Sequence, residues 1–286
     1  MARPIVVGMH PTREEREPVE LAVMLSCMTE SPLEIVGTFW FDATPAMTAT
    51  RDFEVKSRSG VQTALEDNVD TSRTCQAVNV SAQPGSPAHV IHETAERVGA
   101  GLIVIGSTHR GPVGRVTLGT TTDRVLSGAP CPVAVAPRGF DDRGQGLTRV
   151  GVAFVDTPEG RAALRAGITV ARHAGASLTA YTAVDSGHQG APASEALERA
   201  LAEYRGDPGA EGRVLGARGI DALIEESSGL DLLVTGSRGH GPLTATMLGG
   251  VSRRLAREAR CPLIVVPRGQ EQPLSDLFGE SLRSLA

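Results

Sequence analysis

The chain predicts an α/β fold built as two tandem, doubly wound domains with parallel sheets, and three observations carry that prediction. First, 286 residues suffice for two ordinary domains, each with its own core. Second, GSTHRGPVGRVTLGTTTDRVLSGAPCPVAVAPRG (106–139) is repeated as GSRGHGPLTATMLGGVSRRLAREARCPLIVVPRG (236–269). Gly106 and Gly236, Gly111 and Gly241, Leu118 and Leu248, Gly119 and Gly249, and Cys131 and Cys261 all stand 130 positions apart. Third, short β-branched runs alternate with stretches of helical periodicity, the pattern of strands joined by crossover helices.

The elements follow in order. In the first copy strands are expected at 5–9, 33–39, 74–80, 102–105 and 133–136. PIVVGMHPTREE from Pro4 resembles RVGVAFVDTPEG from Arg149, with Thr12 opposite Thr157. That offset is 145, so the second copy has lost 15 residues before its glycine segment. Its strands are expected at 150–155, 177–183, weakly near Val214, and at 232–234 and 263–266. Ala163, Gly167, Val170, Ala171 and Ala174 recur at helical spacing between the first two. The missing residues are expected in 185–219, which is rich in Gly, Ala and Pro and carries one short helix at 194–204. The domains are set at 1–139 and 148–269, joined by a polar, glycine-rich linker at 140–147. In the tail, 270–286, Leu274, Leu277, Phe278, Leu282 and Leu285 form an apolar helical stripe suited to docking on the body or a partner.

Composition excludes several functions. A net charge of -5 and few aromatics argue against nucleic acid, which needs cations for phosphates and platforms for bases. The N-terminal apolar run is too short for a signal peptide and nothing approaches a membrane span, so a cytoplasmic protein is expected. Cys27, Cys75, Cys131 and Cys261 form no Cys-x-x-Cys pair and read as four buried thiols in a reducing compartment.

The glycine segments fall where open parallel sheets bind ligands, beyond the carboxyl ends of strands, and where a helix N-terminus attracts phosphate. Gly236 and Gly239 would admit an anion close to the backbone, and Gly249, Gly250, Val251 and Ser252 would supply amides and one hydroxyl. Other motifs fail. GRVTLGTT (114–121) has Thr120 where a Walker loop needs Lys, the first strands lead into no dinucleotide fingerprint, and no Gly-x-Ser-x-Gly elbow occurs. His89, His92 and Glu93 lack a third ligand at motif spacing and read as solvated side chains, with no metal predicted.

At these residues the chain resembles the universal stress protein family in its tandem form. Nucleotide-binding members carry Gly, two residues, Gly, nine residues, Gly, then Ser or Thr. The resemblance implies a Rossmann-like domain with a mostly parallel five-stranded sheet in the order 3-2-1-4-5. It also implies dimerisation through the last strand and, in some members, ATP with its accompanying Mg. Carried over residue by residue, Gly236, Gly239 and Gly249 fit in the second copy, with Ser237 between the first two, and Gly250 replaces the hydroxyl residue. In the first copy Gly106, Gly119 and Thr120 fit, and His109 replaces the second glycine. The family's Asp at the end of the first strand meets His10 in copy one; in copy two it meets Val155, with Asp156 one residue late.

Gly250 keeps its amide and His109 adds an obstructing side chain, so the second copy is the better candidate for an adenine nucleotide. Arg238 and Arg253 lie near its phosphate region and read equally well as solvated surface cations. Two readings stand. One is a stress-response protein whose association is modulated by ATP or another adenine nucleotide, working as a homodimer. The other is an interaction module with degenerate sites that binds none. No constellation for phosphoryl transfer is evident, and an enzyme, at most a slow ATPase, is the third choice.

Overall fold

A computed structural model describes residues 2–11, 16–39, 50–108, 112–117, 119–142, 144, 146–183, 190–204, 210–216, 218–237, 250–268, 274 and 277. The first copy contains β1 (Ile5–Gly8), α1 (Glu17–Thr29), β2 (Leu33–Phe39), α2 (Thr50–Asp67), β3 (Val78–Pro84), α3 (Pro87–Val98), β4 (Leu102–Gly106), α4 (Thr120–Leu126) and β5 (Val133–Ala136). The second contains β6 (Arg149–Ala153), α5 (Pro158–Ala174), β7 (Ser177–Ala183), α6 (Gly190–Ala202), β8 (Ala210–Leu215), α7 (Gly219–Glu226), β9 (Leu232–Gly236), α8 (Gly250–Glu258) and β10 (Leu263–Val266). Helix starts follow from local chemistry. Thr157 caps α5 by accepting from Gly160 N at 3.1 Å, with Pro158 at the first helical position. The helix ends at Gly175, whose left-handed φ of 64° suits glycine.

All ten strands form one sheet in the order β3-β2-β1-β4-β5-β10-β9-β6-β7-β8. Each half is thus parallel with the order 3-2-1-4-5, and the halves meet through one antiparallel pair. Val133 pairs with Val265, Ala134 with Ile264 and Val135 with Leu263. Because 133 and 263, 134 and 264, and 135 and 265 are repeat equivalents, this register puts a pseudo-twofold axis between Ala134 and Ile264. The central strands are buried on both faces, as parallel strands with helices on either side must be. One core layer joins Val104, Ala134, Ile264 and Val234 to α1 and α5. The opposite layer joins Ile103, Val133, Leu263 and Leu233 to α3, α4, α7 and α8. Both layers run across the seam.

Three expectations need correction. The third strand lies at Val78–Pro84, not 74–80, because residues 71–73 form a 3₁₀ turn and Ser72 N and Oγ donate to Asp70. Cys27 and Cys75 are joined in a disulfide, while Cys131 and Cys261 are buried thiols. The expectation of four free thiols fails because the fold brings the end of α1 beside the segment entering β3, and the cysteine argument for a reducing compartment goes with it. His92 is not a solvated side chain: its Nε2 lies 2.9 Å from the Val125 carbonyl oxygen and ties α3 to α4.

Leu274 and Leu277 are buried, and Leu277 packs against the first copy. Ser31 Oγ donates to the Leu277 carbonyl at 3.3 Å, and Leu277 fills the space that a side chain at Gly101 would need. Phe278, Leu282 and Leu285 lie outside the described residues. Among the described residues no helix is long and apolar enough to cross a membrane, and no group of three His, Cys, Asp or Glu could hold a metal ion.

Candidate functional site

The chain runs outward from β6 to β7 and β8, then crosses back to lay β9 on the other side of β6. The crevice beyond the ends of β6 and β9 is therefore a topological switch point, and β1 with β4 forms its counterpart in copy one. Gly106 and Gly236 end β4 and β9, and α4 and α8 begin at Thr120 and Gly250. The fold thus brings Gly236, Ser237, Gly250, Val251 and Ser252 together in copy two, and Gly106, Gly119 and Thr120 in copy one. His109, Arg238, Gly239 and Gly249 lie outside the described residues.

Two equivalent hydroxyls turn inward. Thr122 Oγ1 donates to the Gly106 carbonyl at 3.0 Å and Ser252 Oγ to the Gly236 carbonyl at 2.6 Å. Each sits on the third residue of its helix and fastens that helix to the preceding strand. Ser252, only 1% exposed, therefore has its proton committed and does not stand in for the hydroxyl absent at position 250. Thr120 and Gly250, at the first helical positions, are both exposed. Among the described residues, chain neighbours and the helix's own backbone aside, no heavy atom lies within 4 Å of where a Cβ on Gly250 would stand.

Gly236 has a steric cause. A Cβ there would lie 2.6 Å from the Glu159 carbonyl oxygen, so glycine lets the first turn of α5 pack against the end of β9. At Gly106 the same atom would meet Pro18 Cδ and Cγ, at an ordinary 3.5 and 3.7 Å. The one-residue shift of the acidic residue is not absorbed by the loop. Val155 is 37% exposed at the crevice, whereas Asp156 follows it and its Oδ1 lies 2.9 Å from Arg161 Nε on α5. Asp156 thus sits in an exposed ion pair.

Copy two has polar atoms without partners. Ser237 is 3% exposed and its N donates to the Val266 carbonyl at 2.8 Å, extending the ladder one residue beyond β9. Strand alternation puts its side chain on the face of Leu233, which packs in the same cluster as Leu255 and Ala256 of α8. Among the described residues, the buried Ser237 Oγ and Arg253 Nε have no hydrogen-bond partner. Arg253 is a half-buried residue of α8, with its Nε turned away from solvent. Its repeat equivalent is Asp123, whose Oδ1 is likewise buried without a partner. The two copies thus carry opposite charge at one equivalent position of α4 and α8, a difference visible at the 130-residue offset.

The sequence model of the Universal stress protein family matches residues 1–137 and again 146–267. A universal stress protein of Mycolicibacterium smegmatis is 25% identical over 286 residues, covering 92% of this chain and 96% of its own. One of Mycobacterium tuberculosis (strain H37Rv) is 24% identical over 291 residues, covering 92% and 99%. The crystal structure of a universal stress protein from Archaeoglobus fulgidus superposes with a TM-score of 0.68 at 18% identity, covering 93% of this chain and 98% of that one. At that identity the likeness concerns the fold.

Proposed function

Because the chain belongs to the universal stress protein family, we propose that its second copy binds an adenine nucleotide such as ATP, with the phosphates at the start of α8. The observation that carries this reading is the buried, unpartnered Ser237 Oγ beside the exposed N-terminus of a nine-residue helix, at the switch point of the sheet. Helix amides favour an anion, and a buried hydroxyl without a partner is a donor waiting for an acceptor. Arg253 adds a cation whose Nε is unmatched. Val155 and Val251, 37% and 42% exposed, offer an apolar surface to a base or ribose. Copy one keeps an exposed Thr120, but Asp123 puts a carboxylate at the position of Arg253 and opposes a phosphate. Any Mg would arrive on the phosphates.

Phosphate contacts would order the start of α8 and alter the surface around it, which is how ligand binding would modulate association. A homodimer would have to use a surface other than the last strands, since β5 and β10 pair within the chain. The ligand-free interaction module keeps one observation on its side: Ser252 and Asp156 are bonded within the protein. Mass spectrometry of gently purified protein, with thermal shifts in millimolar ATP, separates the readings. Copurified nucleotide that is lost in Arg253→Glu and kept in Thr120→Ala supports binding in copy two. Absence of both nucleotide and shift leaves the interaction module.

A further inference from the structure

The Cys27–Cys75 bond joins two outer segments of the first copy. Cys27 is half-buried in the last turn of α1, and Cys75 is exposed on the irregular stretch between the 3₁₀ turn and β3. Glu17, Glu20 and Cys27 share one stripe of α1, at spacings of three and seven residues. Along that stripe Glu17 Oε1 accepts from Gly139 N at 2.8 Å, and Glu20 receives Arg73 Nη1 at 2.7 Å. The same Arg73 donates through Nη2 to the Asp142 carbonyl at 2.8 Å. Residues 139 and 142 lie where the chain passes from one copy to the other. The disulfide therefore fixes, two residues from Arg73, the segment that holds this passage to α1.

We propose that Cys27–Cys75 is a thiol–disulfide exchange site for a dithiol reductant, and that opening it releases residues 70–77 together with the start of the connection at 139–142. Cys75, the exposed residue of the pair, offers its sulfur as the point of attack. A thiolate of the dithiol bonds to it and Cys27 leaves as a thiolate. The second thiol then attacks the mixed disulfide and frees Cys75. Two electrons pass to the protein, the dithiol is oxidised to a disulfide, and its two protons end on Cys27 and Cys75.

The response is confined to this pair. Cys131 and Cys261 are buried, and burial pushes the Cys131 thiol up to about 12 and that of Cys261 upward as well, so neither offers a thiolate. The opening is local, because Leu21, Ala22 and Leu25 keep α1 in the core whatever the state of Cys27.

The test uses the full chain purified without reductant. Maleimide labelling of the folded protein should modify no cysteine before treatment with dithiothreitol and two, Cys27 and Cys75, after it. Hydrogen exchange in 70–77 and 139–142 should then become about tenfold faster. Reoxidation should restore it, and Cys27→Ser/Cys75→Ser should exchange fast throughout and ignore the reductant. Labelling of both residues before reduction, resistance of the folded protein to millimolar dithiothreitol, or unchanged exchange in the two segments after reduction would each overturn the proposal.

Discussion

Replacing Gly250 by Ser tests the phosphate cradle most directly. The position is exposed, its φ is not positive, and among the described residues, chain neighbours and the helix's own backbone aside, no heavy atom lies within 4 Å of the new Cβ, so the helix accepts the side chain. Ser at the first turn of α8 restores the donor that copy one has in Thr120. A hydrogen bond to a charged group contributes about 1.5–3 kcal/mol net, and water competes at an exposed position, so the lower end applies. That corresponds to about a tenfold lower Kd for ATP, at ~1.4 kcal/mol per decade. Relieving the helix of a glycine changes folding stability by about 0.5 kcal/mol or less. Isothermal titration of the natural protein, Gly250→Ser and Gly250→Ala separates the effects. Ser should gain affinity while Ala does not. An equal gain in both, or none in either with the fold intact, refutes the placement of phosphate at this residue.

Further outcomes concern the scaffold around the crevice. Ser252→Ala should cost about 1–2 kcal/mol, seen as a lower urea midpoint, because the Gly236 carbonyl loses its buried donor; an unchanged midpoint would deny the fastening. Gly236→Ala should cost about 1–3 kcal/mol by pressing a methyl group on the Glu159 carbonyl, whereas Gly106→Ala should stay within about 0.5 kcal/mol. Equal losses in the two variants would contradict the steric difference. Asp231 sets a pH dependence. Burial favours its neutral form, yet hydrogen bonds from Thr148 Oγ1, Thr148 N and Arg149 N, with the Arg149 charge, hold the carboxyl below the usual range. A depressed folded value means stabilisation present above about pH 4 and lost as pH falls through the lower folded value. Asp231→Asn should therefore be less stable than the natural chain at pH 7 and converge with it in acid; a constant gap would reject the linkage.

The repeat and the β-branched runs made the double α/β architecture legible, because central parallel strands are buried on both faces and must be apolar throughout. Edge strands are not so constrained. Asn79, Ser81 and Gln83 interrupt the apolar pattern of β3, which is why the strand lies four residues beyond its expected bounds. The offset of 130 also exposed the glycine segments, yet it could not show which glycine yields to backbone. That Gly236 clears Glu159 depends on how α5 docks, and Glu159 is remote in sequence. The hydroxyl of Ser252 reads from sequence as open to a ligand because its acceptor, the Gly236 carbonyl, stands sixteen residues away. The disulfide was illegible for the same reason, since its cysteines are separated by 48 positions and share no motif.

The antiparallel seam between β5 and β10 has an evolutionary consequence. When two identical chains pair, every substitution appears on both sides of the axis, and damage to one cradle is damage to both. Here a covalent connection guarantees that the same two unlike halves always meet, at an effective concentration that dilution does not change. One half is free to carry Asp123 where the other carries Arg253, and the pair can divide its labour without any machinery to sort partners.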